Sequence, residues 1–261
     1  MKLKFFKMQA QGNDYIYFDF MKKKPPLINY SDLAEKLSKR RFSIGSDGII
    51  IIENKQNYDA AIRIFNADGS EANICGSALR SVTAYLADHN AKNNYQIWTK
   101  AGSINAQVTK KEDKSVITVE MGKVGFIENK KLKLYKFEGY QVSVGNSHFV
   151  IYLNQLDADI TSIYGPLIEN HEKFTDKMNV EFVRKISDNE IEVKVWEQGS
   201  GETLACGSGA CAAVYTGLKK YGLSENVKVN FPGGSVMVRI AEETAFLSGE
   251  VEFVFQGEID L

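Results

Sequence analysis

A chain of 261 residues, 44% hydrophobic and 25% charged, can bury one large core or two smaller ones, and its composition excludes a disordered or fibrous protein. The formal net charge of -1 gives nucleic acid or an anionic membrane no electrostatic reason to bind. Three cysteines are too few for a disulfide framework. The opening MKLKFFKMQAQGND holds no apolar run of signal-peptide length, so the chain is expected in the cytoplasm with its cysteines as thiols.

In chain order, the first landmark is Gly12-Asn13 in QAQGNDYIYF. A helix is predicted over SDLAEKLSKRRF, opened by the cap-competent Ser31 and Asp32. The run AAIRIF reads as a strand. CGSALRSVTAYLADH, starting at Cys75, reads as a helix, and YQIWTK and SVITVEM as strands on either side of Gly102-Ser103. The second half opens with the strand signal VSV before Gly145-Asn146. A helix follows in LDADITSIYGPLIEN, then the strand EIEVKVW. The helix CGSGACAAVYTGLKKYG starts at Cys206 and is stopped by Gly222, and AFLSGEVEFVF carries strand signals.

These landmarks recur. Cys75-Gly76-Ser77 returns as Cys206-Gly207-Ser208 at an offset of 131, Gly12-Asn13 as Gly145-Asn146 at 133, and Gly102-Ser103 as Gly234-Ser235 at 132. Glu71 and Glu202 each stand four residues before their cysteine. Four matches in one order argue for an internal duplication. The expected fold class is α/β (α+β): two pseudo-symmetric domains, each a curved, mostly antiparallel sheet wrapped around one helix, with the active site in the interdomain cleft. The expected domains are residues 1–123, joined by a C-terminal strand from about 250–261, and residues 124–249.

The thiols carry the chemistry. A helix N-terminus presents unpaired N–H groups and the positive end of its dipole, so a cysteine there is expected to have its pKa drawn below the free value of about 8.5. Gly76 and Gly207 let a carboxylate approach the backbone. Two thiols flanking one carbon could invert it, a thiolate taking the α-hydrogen from one face and a thiol returning a proton to the other. That scheme needs no cofactor. A single Cys-Gly in an apolar helix is more often a core residue, but two at equivalent points of a repeat point to function. Cys211, among Ala and Val, is read as structural. Cys206 and Cys211 match no zinc spacing, and no metal site is expected.

The segments GNDYIYFD, GSDGIII, FNADGSEANICGSALR, VGNSHFV, MNVEFV, WEQGSGETLACGSGACAA and PGGS resemble, in order and spacing, the diaminopimelate epimerase family over nearly the whole chain. The resemblance implies a cofactor-independent isomerase that interconverts LL- and meso-2,6-diaminopimelate on the route to lysine and peptidoglycan. It makes Cys75 and Cys206 the catalytic pair, tuned by His148 and Glu197. It assigns Asn13, Asn66, Asn146 and Asn179 to the amino and carboxylate groups of the substrate, and the turns Gly76-Ser77 and Gly207-Ser208 to the reacting carboxylate. Without it, each asparagine would be read as a turn or cap residue, His148 as a structural histidine and Glu197 as a loop acid. The expected partner is a small amino acid, with neither nucleic acid nor membrane, and a homodimer is the expected assembly.

The chain departs from the family pattern at several points. Gln198 stands where the family carries an arginine that pairs with the far carboxylate of the substrate, and it brings neither charge nor a bidentate fork. Ser77 replaces an asparagine, Ser147 a proline, and Gly48 stands where some members carry a substrate-contacting Gln. Gln198 and Ser77 motivate an alternative: a cofactor-independent racemase or epimerase of another amino acid, such as lanthionine.

Overall fold

The structure is a computed structural model that describes residues 2–90, 92–111, 114–174 and 177–260. It divides into two compact units, Met1–Val119 with Gly249–Leu261, and Glu120–Ser248.

The first unit opens with β1 (Lys2–Ala10) and β2 (Asn13–Phe20), an antiparallel pair, followed by α1 (Tyr30–Ser38) and β3 (Gly48–Glu53). β2 and β3 are parallel, as a helical crossover requires. β4 (Ala60–Asn66) returns antiparallel to β3 and makes a short hairpin with β5 (Glu71–Ala72). After α2 (Gly76–His89), β6 (Asn94–Thr99) runs parallel to β4, and β7 (Gly102–Lys111) and β8 (Lys114–Lys123) continue antiparallel. Ile49 to Ile52 have no exposed surface, which accounts for an unbroken apolar run in place of alternation: both faces of β3 are covered.

The second unit repeats this order. β9 (Gly125–Phe126) and β10 (Leu132–Leu134) precede β11 (Phe137–Ser143), which pairs antiparallel with β12 (Ser147–Leu153). α3 (Ile160–Glu169) leads into β13 (Asn179–Ser187), parallel to β12, and β14 (Glu190–Glu197) returns beside it. The hairpin strand β15 (Gly201–Thr203) precedes α4 (Gly207–Lys220), and β16 (Asn226–Phe231) lies parallel to β14. β17 (Gly234–Ala241) and β18 (Thr244–Gly249) follow antiparallel. The correspondence extends to the last strand. β19 (Glu252–Asp260) pairs antiparallel with β1, just as β9 pairs with β11.

Each unit wraps its sheet around the helix that starts at a cysteine. Residues 76–83 of α2 and 209–217 of α4 are all buried, so these helices are covered on every side. Small residues make that close packing fit in α4: a side chain at Gly217 would meet Leu223 Cδ1 at 2.2 Å and the Tyr152 hydroxyl at 2.3 Å. Cys211 is fully buried within this helix, as expected of a structural residue.

Two local expectations are corrected, both at α1. α1 is capped by Asn29, whose side chain accepts from the backbone N–H groups of Ser31 and Asp32, so the helix starts ahead of the two predicted capping residues. It also ends early, at Ser38, with Arg41 in the left-handed region at φ 73°. AFLSGEVEFVF is two strands: the chain leaves β18 at Gly249 and starts β19 at Glu252, in the other unit. Gly222 does stop α4, at φ 66°, with the N–H groups of Tyr221 and Leu223 both donating to Gly217 O. Among the described residues no helix is long and apolar enough to cross a membrane.

Candidate active site

Both cysteines occupy the same structural position. Cys75 is the N-cap of α2 at φ −147°, ψ 116°, and Cys206 the N-cap of α4 at φ −132°, ψ 118°; neither side chain caps its helix. In both places extended backbone turns directly into a helix, which aims the first N–H groups beside a sulfur. All three cysteines are thiols. Cys206 is buried and Cys75 half-buried.

The first unit holds six of the predicted residues. Asn13 starts β2, with its Oδ1 buried and without a hydrogen-bond partner. Gly48 starts β3, paired in register with Tyr15 and Asn66. A Cβ at 48 would sit 2.1 Å from Phe65 O, so the backbone leaves no room there for the glutamine that some family members carry. Asn66 ends β4 and closes a turn, its Nδ2 donating to Ser70 Oγ at 3.0 Å. Gly76 and Ser77 form the start of α2, both buried. Beneath Asn13 and Gly48 lies an ionic cluster. Lys7 Nζ is 2.6 Å from Asp14 Oδ2, Arg40 reaches both Asp14 and Asp47, and Asp47 Oδ2 accepts from Asp14 N at 3.0 Å. Burial works upward on the Asp14 carboxyl, but Arg40 and Lys7 outweigh it and hold it below the usual carboxylate range.

The second unit holds the rest, joined by hydrogen bonds. Asn179, the first residue of β13, donates from Nδ2 to Ser147 O at 2.9 Å, and its Oδ1 accepts from Gln198 N at 3.0 Å. His148 Nε2 lies 2.9 Å from Asn146 Oδ1, and Asn146 Nδ2 donates to Ser208 Oγ at 3.3 Å. Ser208 Oγ is 3.5 Å from Cys206 Sγ. Gly207 and Ser208 make up the start of α4. Glu197 ends β14, accepting from the Thr203 hydroxyl and from the Cys206 thiol. Gly199 N donates to Glu169 Oε1, and the same buried carboxylate takes Trp196 Nε1, so the loop carrying Gln198 is tied to the end of α3.

The electrostatics at Cys206 reverse the expected direction. Burial, then the carboxylates of Glu197 and Glu181, push its thiol well above the ordinary value, and the opposing hydrogen bonds from Ser208 and Gly209 do not make up the difference. A helix dipole acts over one turn at a partly exposed site, whereas a fully desolvated thiolate beside a carboxylate meets two larger penalties. Burial also raises the Glu197 carboxyl, which makes it a competent proton acceptor for the thiol it touches.

The sequence reading missed Glu181. It has no exposed surface, and its Oε1 lies 2.6 Å from His148 Nδ1. The available signal was an acid inside the otherwise apolar strand segment NVEFV, since a buried charge needs a reason.

The diaminopimelate epimerase family model matches residues 5–127 and 140–254, nearly the whole of both repeats. The chain belongs to the diaminopimelate epimerase family. It is 38% identical to a diaminopimelate epimerase of Halothermothrix orenii, covering 99% of this chain and 98% of that one. It is 39% identical to one of Brachyspira hyodysenteriae over the full length of both. Its fold is similar to that of a phenazine biosynthesis protein from Bacillus anthracis, with a TM-score of 0.74 at 14% identity and complete coverage of both chains.

Proposed function

We propose that this chain is a pyridoxal-phosphate-independent isomerase that converts LL-2,6-diaminopimelate to the meso form, with Cys75 and Cys206 as the acid–base pair. The observation that carries the reading is the match to diaminopimelate epimerases along the full chain, with a cysteine at the N-cap of the buried helix in each repeat.

Cys75 Sγ, as thiolate, takes the α-proton, and the electron pair of the broken C–H bond remains on the α-carbon. The Cys206 thiol delivers its proton to the opposite face. The product leaves with Cys75 as thiol and Cys206 as thiolate, and the reverse reaction exchanges these roles. The raised pKa of Cys206 suits the donor, and Glu197 is the group through which it regains or loses its proton. The N–H groups at the starts of α2 and α4, at Gly76-Ser77 and Gly207-Ser208, would receive the carboxylate beside the reacting carbon and stabilise charge developing next to it. Asn13 Oδ1, buried and unpaired, is an acceptor for a substrate ammonium group. Asn66, Asn146, Asn179 and Gln198 would orient the remainder. We further propose a cytoplasmic homodimer as the working form.

α-Hydrogen exchange tests this assignment. Cys75→Ala and Cys206→Ala should each lower kcat by about a hundredfold or more, the size of a positioned acid–base contribution, with the protein still folded. Retention of near-wild-type epimerisation in either variant would remove that thiol from the mechanism.

A further inference from the structure

Glu181 is outside every role assigned above, yet it is the most completely buried carboxylate near the thiol. It lies on β13, two residues beyond Asn179, and His148 and Asn179 are partners in the parallel β12–β13 register. Its Oε1 contacts His148 Nδ1, and Oε2 is buried with no hydrogen-bond partner. A side chain at Gly209 would come within 2.6 Å of Oε1, so the helix that carries Cys206 at its cap leaves this carboxylate its space. From Glu181 a continuous series of contacts runs through His148 and Asn146 to Ser208 and the Cys206 thiol, at 2.6, 2.9, 3.3 and 3.5 Å.

The orientation of the Asn146 amide sets the proton on His148 Nε2. Asn146 Nδ2 donates to Ser208, so Asn146 Oδ1 faces His148 Nε2 and requires a proton on that nitrogen. Nδ1 must then share a proton with the Glu181 carboxyl. If this contact were lost, the ring could place its proton on either nitrogen, and Asn146 would lose the partner that fixes its amide.

We propose that Glu181 is a positioning residue: through His148 and Asn146 it fixes the Ser208 hydroxyl against Cys206, without touching substrate. This rests on Cys206 being a reacting thiol. The function it supplies is orientation of the ring. A glutamine at 181 can donate its amide N–H to Nδ1, leaving the proton on Nε2, so Glu181→Gln should preserve the series, whereas Glu181→Leu should break it.

The test compares these two variants with the wild-type full chain, using 15N NMR of the histidine rings and the kinetics of diaminopimelate epimerisation. His89→Gln and His171→Gln identify the other two rings. The wild-type protein should show a proton on His148 Nε2. Folded Glu181→Leu should lose kcat by about 10- to 100-fold, as when the outer partner of a functional histidine is removed, with KM nearly unchanged because the interaction acts in the transition state. Glu181→Gln should keep kcat within about threefold of wild type and retain the Nε2 proton. A bare Nε2 in the wild type, wild-type kcat in folded Glu181→Leu, or a Glu181→Gln as impaired as the leucine variant would each overturn the proposal. If the leucine variant does not fold, the glutamine variant and the wild-type ring decide. Failure of the wild type to epimerise diaminopimelate would count against the functional reading, and the ring measurement would still test Glu181.

Discussion

Glu197 raises the proton affinity of Cys206 and has its own raised by burial, which gives opposite consequences for reactivity and stability when the carboxylate is removed. In Glu197→Gln the charge that opposes the Cys206 thiolate is gone, so the pH midpoint for alkylation of Cys206 by iodoacetamide should fall below that of wild type. An unchanged midpoint would show that burial and Glu181 hold the thiol neutral without Glu197. The folded protein binds the Glu197 proton more tightly than the unfolded chain. The stability this contributes is fully present below the ordinary glutamate pKa and is lost as pH rises through the higher folded value. Glu197→Gln should therefore melt higher than wild type at pH 8, and the difference should close in acid. Gly209 is a second sensitive residue. Gly209→Ala presses a methyl against Glu181 Oε1 and should destabilise the fold by about 1–3 kcal/mol in urea melts, the usual cost of overpacking. Glu181 was legible only as an anomaly, because one sequence places an acid in a strand but does not say which ring faces it.

Among the elements, β1, β2 and the approach to β3 are held by Lys7, Asp14, Arg40 and Asp47, directly beside Asn13 and Gly48. Asp14→Asn would remove the negative charge that compensates the buried Lys7 ammonium and should cost about 3–5 kcal/mol, as breaking a buried pair does. Equilibrium urea unfolding measures this, and a loss under about 1 kcal/mol would make the pair equivalent to an exposed one. The folded Asp14 pKa is depressed, so its contribution is present above the ordinary aspartate pKa and is lost as pH falls through the lower folded value. Helices α2 and α4 were legible because each begins at a repeated Cys-Gly-Ser after extended sequence. The start of α1 was misplaced because Ser31, Asp32 and Asn29 are all competent caps, and only the backbone conformation decides among them. The change from β18 to β19 was legible at Ser248-Gly249-Glu250, which interrupts the apolar run, although the partner strand of each piece leaves no mark in local propensity.

At the scale of the whole chain, the duplication was readable from four spaced landmarks, and the structure carries it through strand order, two parallel crossovers per unit and the strand that closes each β1-type edge. Family membership fits the same pattern, since the matched motifs sit at the ends of strands and the starts of the two buried helices. Gln198 is where substrate preference is expected to be adjustable. Its backbone N–H already anchors to Asn179, so Gln198→Arg should add a charge without moving the loop and lower KM for diaminopimelate by about tenfold, the worth of one charge-assisted hydrogen bond. An unchanged KM would place the far carboxylate elsewhere. The central claim, inversion of a free amino acid by two thiols, is tested most directly by incubating the protein with LL-2,6-diaminopimelate in D2O and following the α-carbon by mass and stereochemistry. The account predicts meso product carrying solvent deuterium at the inverted carbon, lost in both Cys75→Ala and Cys206→Ala. Deuterium-free substrate and no meso product from the folded wild-type protein would contradict it.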